Sequence, residues 1–153
     1  MKALTRVLCS SALKFASRRI SDSYLSRRLL WHVAELGPAR VDDAAGLTEI
    51  AVRATKHDGY DDGAVSRFMP GLKVNLALIA AGLVHVAEGE QGVLGGYVSF
   101  RPTGMGGLIL LEGIFVDPAY SRRGVGTRLF ATAVEHSRKM AGNVILIIRA
   151  RTR

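Results

Sequence analysis

The stretch from Leu108 to Arg128 constrains the fold of this chain more than any other. Leu108 to Val116 is an apolar run interrupted only by Glu112 and Gly113, a length and composition that suit a buried strand. Asp117-Pro118 stops it, and a basic turn follows with Arg122, Arg123, Gly124 and Gly126. An amphipathic pattern then begins. Val125, Leu129 and Ala133 share one stripe with Phe130 and Val134 beside it, and Arg128, Glu135, Arg138 and Lys139 lie opposite, which is helical spacing. A strand that enters a helix through so short a turn leaves the first helical N–H groups uncommitted, beside positive side chains. Such a place binds phosphate. Gly124 and Gly126 carry no Cβ, so a ligand can approach their backbone closely.

Two common phosphate loops fit poorly. A Walker-type loop requires Gly-Lys-Ser/Thr, and no such triplet stands in this turn. A dinucleotide fingerprint requires a third small residue three positions after the second glycine, so that helix packs on strand. Leu129 occupies that position.

With 153 residues, 48% of them hydrophobic, the chain suffices for one domain with a real core. The net charge of +8 is unevenly placed: residues 1–40 hold eight of the 21 Lys and Arg but two of the 13 acids, leaving thirteen bases and eleven acids in 41–153. The body is therefore nearly neutral and offers no nucleic-acid groove. Cys9 is the single cysteine, so neither an intrachain disulfide nor a cysteine-rich metal site is expected. It fits a reducing compartment, and a cytoplasmic location is expected. No apolar run has the length of a membrane span. The segment 1–36 is basic and serine-rich, with Asp22 as the one acid before Trp31. It resembles a mitochondrial transit peptide, which makes mitochondria the alternative location. It reads equally as a loose tail or as an extension from a displaced start codon.

Within 37–153 the pattern predicts a strand over 38–41, a helix from Ala44 to about Ala54 behind Asp42-Asp43, and a loop from His57 to Gly63. A short helix through Val65, Phe68 and Met69 is predicted to end at Pro70-Gly71, and a helical pattern covers 74–81. The period then changes to that of strands: 83–87, 93–100 with Gly95-Gly96 inside, and 108–116, separated by the turns 89–92 and 102–107. The helix after the basic turn is predicted to reach Met140, Gly142 to end it, and 143–150 to form a last buried strand.

The segment from Ile114 to Leu129 resembles motif A of the GNAT superfamily of N-acetyltransferases. That motif is Gln/Arg-x-x-Gly-x-Gly/Ala after a strand ending apolar-Val-x-Pro. Ser121 stands where the pattern has Gln or Arg. The order of elements over 38–150 agrees with the family, and Val86-Ala87-Glu88 with Val93 to Gly96 resembles its second and third strands. The resemblance implies an α+β fold: a mixed sheet containing a three-strand antiparallel meander, flanking helices and a final strand. The family continues beyond this point with a further helix and two strands, so the sequence reads as a C-terminally truncated member. The resemblance also implies acetyl-CoA as co-substrate, with Ile114, Phe115 and Val116 on the strand and Arg122, Arg123, Gly124, Val125, Gly126 and Thr127 in the turn as its contacts.

Acetyl transfer to an amine requires a proton acceptor for the amine and a donor for the carbonyl oxygen as it gains charge. Glu112 is the candidate catalytic base. It reads alternatively as a carboxylate facing solvent or paired with an arginine. Gly113, inside the strand, suggests a bulge or a close backbone approach, or simply close packing. His57 and Tyr60 lie in the loop that borders the acceptor in the family, and Asp58, Asp61 and Asp62 hint at a cationic amine there. His85 shows no metal-cluster spacing, and His136 falls on the polar face of its helix, where solvation is expected. The expected function is transfer of an acetyl group to an amine of a small molecule or protein. The alternative is a non-catalytic CoA-binding or regulatory module of the same fold. Neither nucleic acid, membrane nor a metal is expected as a partner, and a homodimer stays open.

Overall fold

The computed structural model describes residues 35–89, 92–105, 107–140 and 143–146. The expectations for the basic segment 1–36 fall almost wholly outside the described residues, as do those for Gly142 and for 147–150. Nine regular elements are described: β1 (Glu35–Pro38), α1 (Ala44–His57), α2 (Asp62–Leu72), α3 (Leu76–Ala80), β2 (Val84–Glu88), β3 (Leu94–Pro102), β4 (Leu108–Val116), α4 (Val125–Lys139) and β5 (Asn143–Leu146). The strands lie in one sheet in chain order. The pairs from β1 to β4 are antiparallel and β4 pairs with β5 in parallel. This is the expected mixed sheet with its antiparallel meander.

Two elements differ from the sequence reading. The first strand begins at Glu35, and Val41–Asp43 is a turn of 3-10 helix. Asp42-Asp43 favours that turn: the Asp43 carboxylate accepts the Arg40 N–H at 2.7 Å, which an extended strand over 38–41 would not allow. Helix α2 also runs past Pro70 to Leu72. Proline removes one N–H and crowds the preceding turn, but here it sits in the last turn, and Lys73 N–H closes on Met69 O at 3.0 Å.

The core forms where α1 and α4 bring their apolar stripes to the sheet. Leu47, Ile50 and Ala51 of α1 and Val125, Leu129 and Ala133 of α4 are buried with Val84, Val86, Val98 and Phe100 of the strands. Each large side chain so buried contributes on the order of 1.5–3 kcal/mol of transfer free energy. Leu129 explains the missing third glycine. It is fully buried, and the closest approach of α4 to the sheet is supplied from the strand side. A Cβ at Gly96 would lie 3.2 Å from Leu129 Cδ1 and 2.7 Å from the Phe115 carbonyl.

Two irregularities of the sheet lie near the segment that the sequence singled out. Ala87 and Glu88 pair with Gly96 and Leu94, so Gly95 is an extra residue on β3. Ser99 and Phe100 pair with Gly113 and Leu111, so Glu112 is an extra residue on β4. Both are bulges, which bend a strand and re-aim its side chains. A bulge was expected from Gly113. Gly113 also gives room to Phe115, whose Cε2 would be 2.6 Å from a Cβ placed there.

Candidate functional site

The described pairing between β4 and β5 ends at Leu111 with Leu146, one residue before the bulge. Past that point β4 continues against β3 alone among the described residues. Asp117 N–H donates to Gly95 O at 2.9 Å, and Gly96, Tyr97 and Val98 face Val116, Phe115 and Ile114 in register. In an antiparallel ladder the hydrogen-bonded pairs alternate. The backbone groups of Phe115 therefore turn to β3, while those of Ile114 and Val116 point to the other side. Two of the three predicted strand contacts thus present N–H and C=O groups along an edge that leads to the start of α4.

Asp117 anchors the end of this strand. Its Oδ1 accepts the Ala119 N–H at 2.9 Å and so caps the 3-10 turn Pro118–Tyr120. Proline just inside a helical turn, behind an Asp cap, is a favoured combination. Its Oδ2 accepts from Arg53 of α1 through Nε at 3.0 Å and Nη2 at 2.6 Å. Asp117 is buried and Arg53 half exposed. The hydrogen bond to Asp117 holds the Arg53 guanidinium further above its already high range, against the opposing effect of burial. Arg53 also reaches Glu49 one helical turn away, at 3.4 Å.

The turn that follows has two residues of positive φ, Arg122 at 61° and Gly124 at 81°. A left-handed arginine is uncommon and strained, and such residues gather at binding sites. Gly124 is the N-cap of α4, so no side-chain oxygen caps the helix, and its first turn holds no acid. The N–H groups of Val125, Gly126 and Thr127 thus face a region fringed by the exposed Arg122 and Arg123. Arg123 is held over the Tyr120 ring with Cζ 5.8 Å from the centroid, a cation–π distance. Tyr120 in turn packs on Gly95, where a Cβ would be 3.3 Å from the ring. The positive end of the helix dipole and the unsealed N–H groups directly follow two exposed arginines in the chain, an arrangement suited to a pyrophosphate.

Residues 80–152 match a sequence model described as an acetyltransferase (GNAT) domain. The chain has the GNAT fold. PaiA N-acetyltransferase from Thermoplasma acidophilum, solved with coenzyme A, superposes with a TM-score of 0.65 at 16% identity, over 76% of this chain and 80% of that one. A GNAT family acetyltransferase from Brucella melitensis, solved with acetyl-CoA, gives 0.60 at 22% identity over 76% and 77%. YncA from Salmonella typhimurium, solved with acetyl-CoA, gives 0.56 at 23% over 74% and 69%. No curated protein sequence matches the chain.

The structure places the remaining candidate residues as follows. Glu112 sits at the bulge of β4, and its Oε1 accepts Arg101 Nε from β3 at 2.7 Å. It lies ten residues before Arg122 in the chain and belongs to the strand, not to the turn. Tyr60 is half buried with its ring edge-on to Phe68, the centroids 5.5 Å apart, and His57 is exposed at the end of α1. The nearby acids have structural partners: Asp61 Oδ1 caps α2 by accepting Ala64 N–H at 2.7 Å, and Asp62 pairs with Lys56 at 2.7 Å. Asp58 is also engaged. These contacts account for the acidic loop without a cationic ligand.

His136 differs from its expectation. It packs against His85 of β2 and Phe100 of β3, with ring centroids 4.9 and 4.8 Å away. Among the described residues no group of three or more metal-ligating side chains forms. Sequence reasoning missed Arg53 and Tyr120. The Asp-Pro pair carried a local signal for the cap that Asp117 makes, but nothing in the sequence names the arginine that holds it.

Proposed function

We propose that this chain binds acetyl-CoA along the open edge of β4 and at the N-terminus of α4, and transfers its acetyl group to an amine. The single observation that carries the reading is the unsealed start of α4. Gly124, with φ of 81°, leaves the first-turn N–H groups without a side-chain cap directly after a strand edge that presents Ile114 and Val116. The N–H groups of residues 124–127 and the guanidinium groups of Arg122 and Arg123 take the pyrophosphate. The outward backbone groups of Ile114 and Val116 hydrogen-bond the amide arm, and one such N–H supports the thioester oxygen as it gains negative charge. The amine nitrogen attacks the carbonyl carbon. The new C–N bond forms, the C–S bond breaks, and the thiolate leaves. Glu112 takes the amine proton directly or through water. The acceptor is a small-molecule or protein amine.

One observation favours a second reading, a CoA-binding module without catalysis: the Glu112 carboxylate is already in an ion pair with Arg101. Calorimetric titration with acetyl-CoA and with NAD tests the first step, and NAD binding without CoA binding would reject it. A thiol-release assay over small amines and N-terminal peptides separates the two readings. In the catalytic case Glu112→Gln lowers kcat by roughly 10²–10⁴-fold, the usual scale of general-base catalysis. The loss shrinks at high pH, where the amine is already neutral, and the affinity for acetyl-CoA stays unchanged. Tight binding with no turnover for any acceptor would establish the non-catalytic module.

A further inference from the structure

We infer that Arg53 is a positioning residue for the CoA turn, acting at a distance through Asp117. The inference rests on the CoA reading above and adds to it a residue that touches no part of the ligand. The path is short and made of directed bonds. The Arg53 guanidinium grips Asp117 Oδ2 with two N–H groups, at 3.0 and 2.6 Å. The other oxygen of that carboxylate caps Ala119 N–H, and the Asp117 carbonyl accepts Tyr120 N–H at 2.8 Å. Tyr120 leans on the bulge glycine Gly95 and carries Arg123 on its ring. Four residues after Tyr120 comes the left-handed Gly124 that opens α4.

The turn needs such an anchor. It contains a strained arginine and a glycine cap, and among the described residues neither contributes a side-chain hydrogen bond that would hold the loop in one shape. A carboxylate gripped by a two-pronged guanidinium cannot swing away from the Ala119 N–H, so the orientation of the Pro118–Tyr120 turn is fixed by α1. Glutamine at position 53 removes the charge and the fork. Asp117 then loses its charged partner and keeps only the Ala119 N–H, and the turn samples other shapes. If the binding shape is held about a tenth of the time, the apparent Kd for CoA rises about tenfold with no ligand contact removed.

Three variants test this by calorimetric titration with CoA at a temperature well below every unfolding transition. Arg53→Gln is expected to weaken CoA binding about tenfold and to speed amide hydrogen exchange at 119–127 relative to α2. Glu49→Gln removes the other, exposed partner of Arg53 and is expected to leave both readouts unchanged. Asp61→Ala removes the α2 cap, lowers stability far from the turn, and is expected to keep the wild-type Kd. Should Arg53→Gln be unfolded at the measuring temperature, Arg53→Lys carries the test. Lysine keeps one charge without the fork, and a weakening of about threefold or more is expected. Wild-type CoA affinity in the folded Arg53 variant would overturn the positioning role, and so would an equal loss in Asp61→Ala. Failure of the wild-type chain to bind CoA would instead overturn the reading of the turn.

Discussion

Helices α2 and α4 begin in opposite ways. At α2 the cap is Asp61, extended at φ −72° and ψ 170°, and its side chain accepts the Ala64 N–H. At α4 the cap is Gly124, left-handed at φ 81°, and no side chain accepts anything. The first helix start is closed by its own sequence. The second is left open and fringed by Arg122 and Arg123. An aspartate cap in place of alanine stabilises a helix by about 1 kcal/mol, yet glycine loses only a few tenths of that. Leaving α4 open therefore costs the fold little and leaves its N–H groups for an anion. Two helix starts in one small domain thus differ in kind: one is closed by its own side chain and the other is open to an anion.

The sharpest way to break the comparison is to close α4. In Gly124→Glu the carboxylate would occupy the phosphate position and carry like charge. Like charges set against each other cost several kcal/mol, so affinity for CoA is expected to fall by about 100-fold or more. Stability should fall much less, by about 1–2 kcal/mol for a non-glycine residue at positive φ. Titration calorimetry and thermal unfolding read the two effects separately. Unchanged CoA affinity would show that the open start of α4 is incidental.

The contrast between local and distant contacts also explains what was legible in the sequence. The turn was readable because its chemistry lies in one short stretch, Leu108 to Gly126: an apolar run, Asp-Pro, then Gly-x-Gly with arginines between. Strand β4 was placed at 108–116, with a bulge beside Gly113, because strand period and an internal glycine are local signals. Arg53 was not readable as part of the site, since 64 residues separate it from Asp117 and only the docking of α1 brings them together. The pairing of Glu112 with Arg101 depends on the one-residue shift at the bulge, which decides the strand register and is invisible in the pattern. His136 looked solvated because its own helix places it off the apolar stripe. The partners that cover it, His85 and Phe100, belong to other elements. Pro70 failed as a stop signal because a proline in the last turn loses few bonds.

The close approach of α4 to the sheet gives a prediction of middle size. Gly96→Ala places a Cβ 2.7 Å from the Phe115 carbonyl, a backbone atom that cannot swing aside. Overpacking of this kind costs about 1–3 kcal/mol. Because the carbonyl belongs to β4 and the helix contact is Leu129, the variant should also weaken CoA binding by tilting α4 from the strand. Denaturant unfolding and titration check this. A stable variant with normal affinity would show that the packing is softer than the geometry implies.

Opening α2 is the complementary change. Asp61→Ala removes the bond to Ala64 N–H and should lower stability by about 1 kcal/mol, visible as a shift of a few degrees in Tm, with CoA affinity unchanged. A change in CoA affinity would mean that the start of α2 is not purely structural.

The smallest expected effect lies at the far end of α4, where His136 meets His85. Burial is the main reason that the His85 pKa is lowered from 6.5, and the adjacent His136 and, more weakly, Lys139 add to it, while a hydrogen bond to the Gly82 backbone opposes them. The sign follows from which state binds the proton. As pH falls through about 6.5, the unfolded chain protonates His85 more readily than the folded chain does, so folding becomes less favourable. The loss continues until the folded His85 also protonates and then levels off. His85 is only partly buried, so screening keeps the effect small. The expected result is a shallow decline in Tm from pH 7 towards pH 5 that flattens in His85→Gln, while the start of α2, remote from both histidines, keeps the same Asp61→Ala penalty at both pH values. A wild-type Tm that rises over this interval, or a slope unaltered by His85→Gln, would remove His85 as the titrating group.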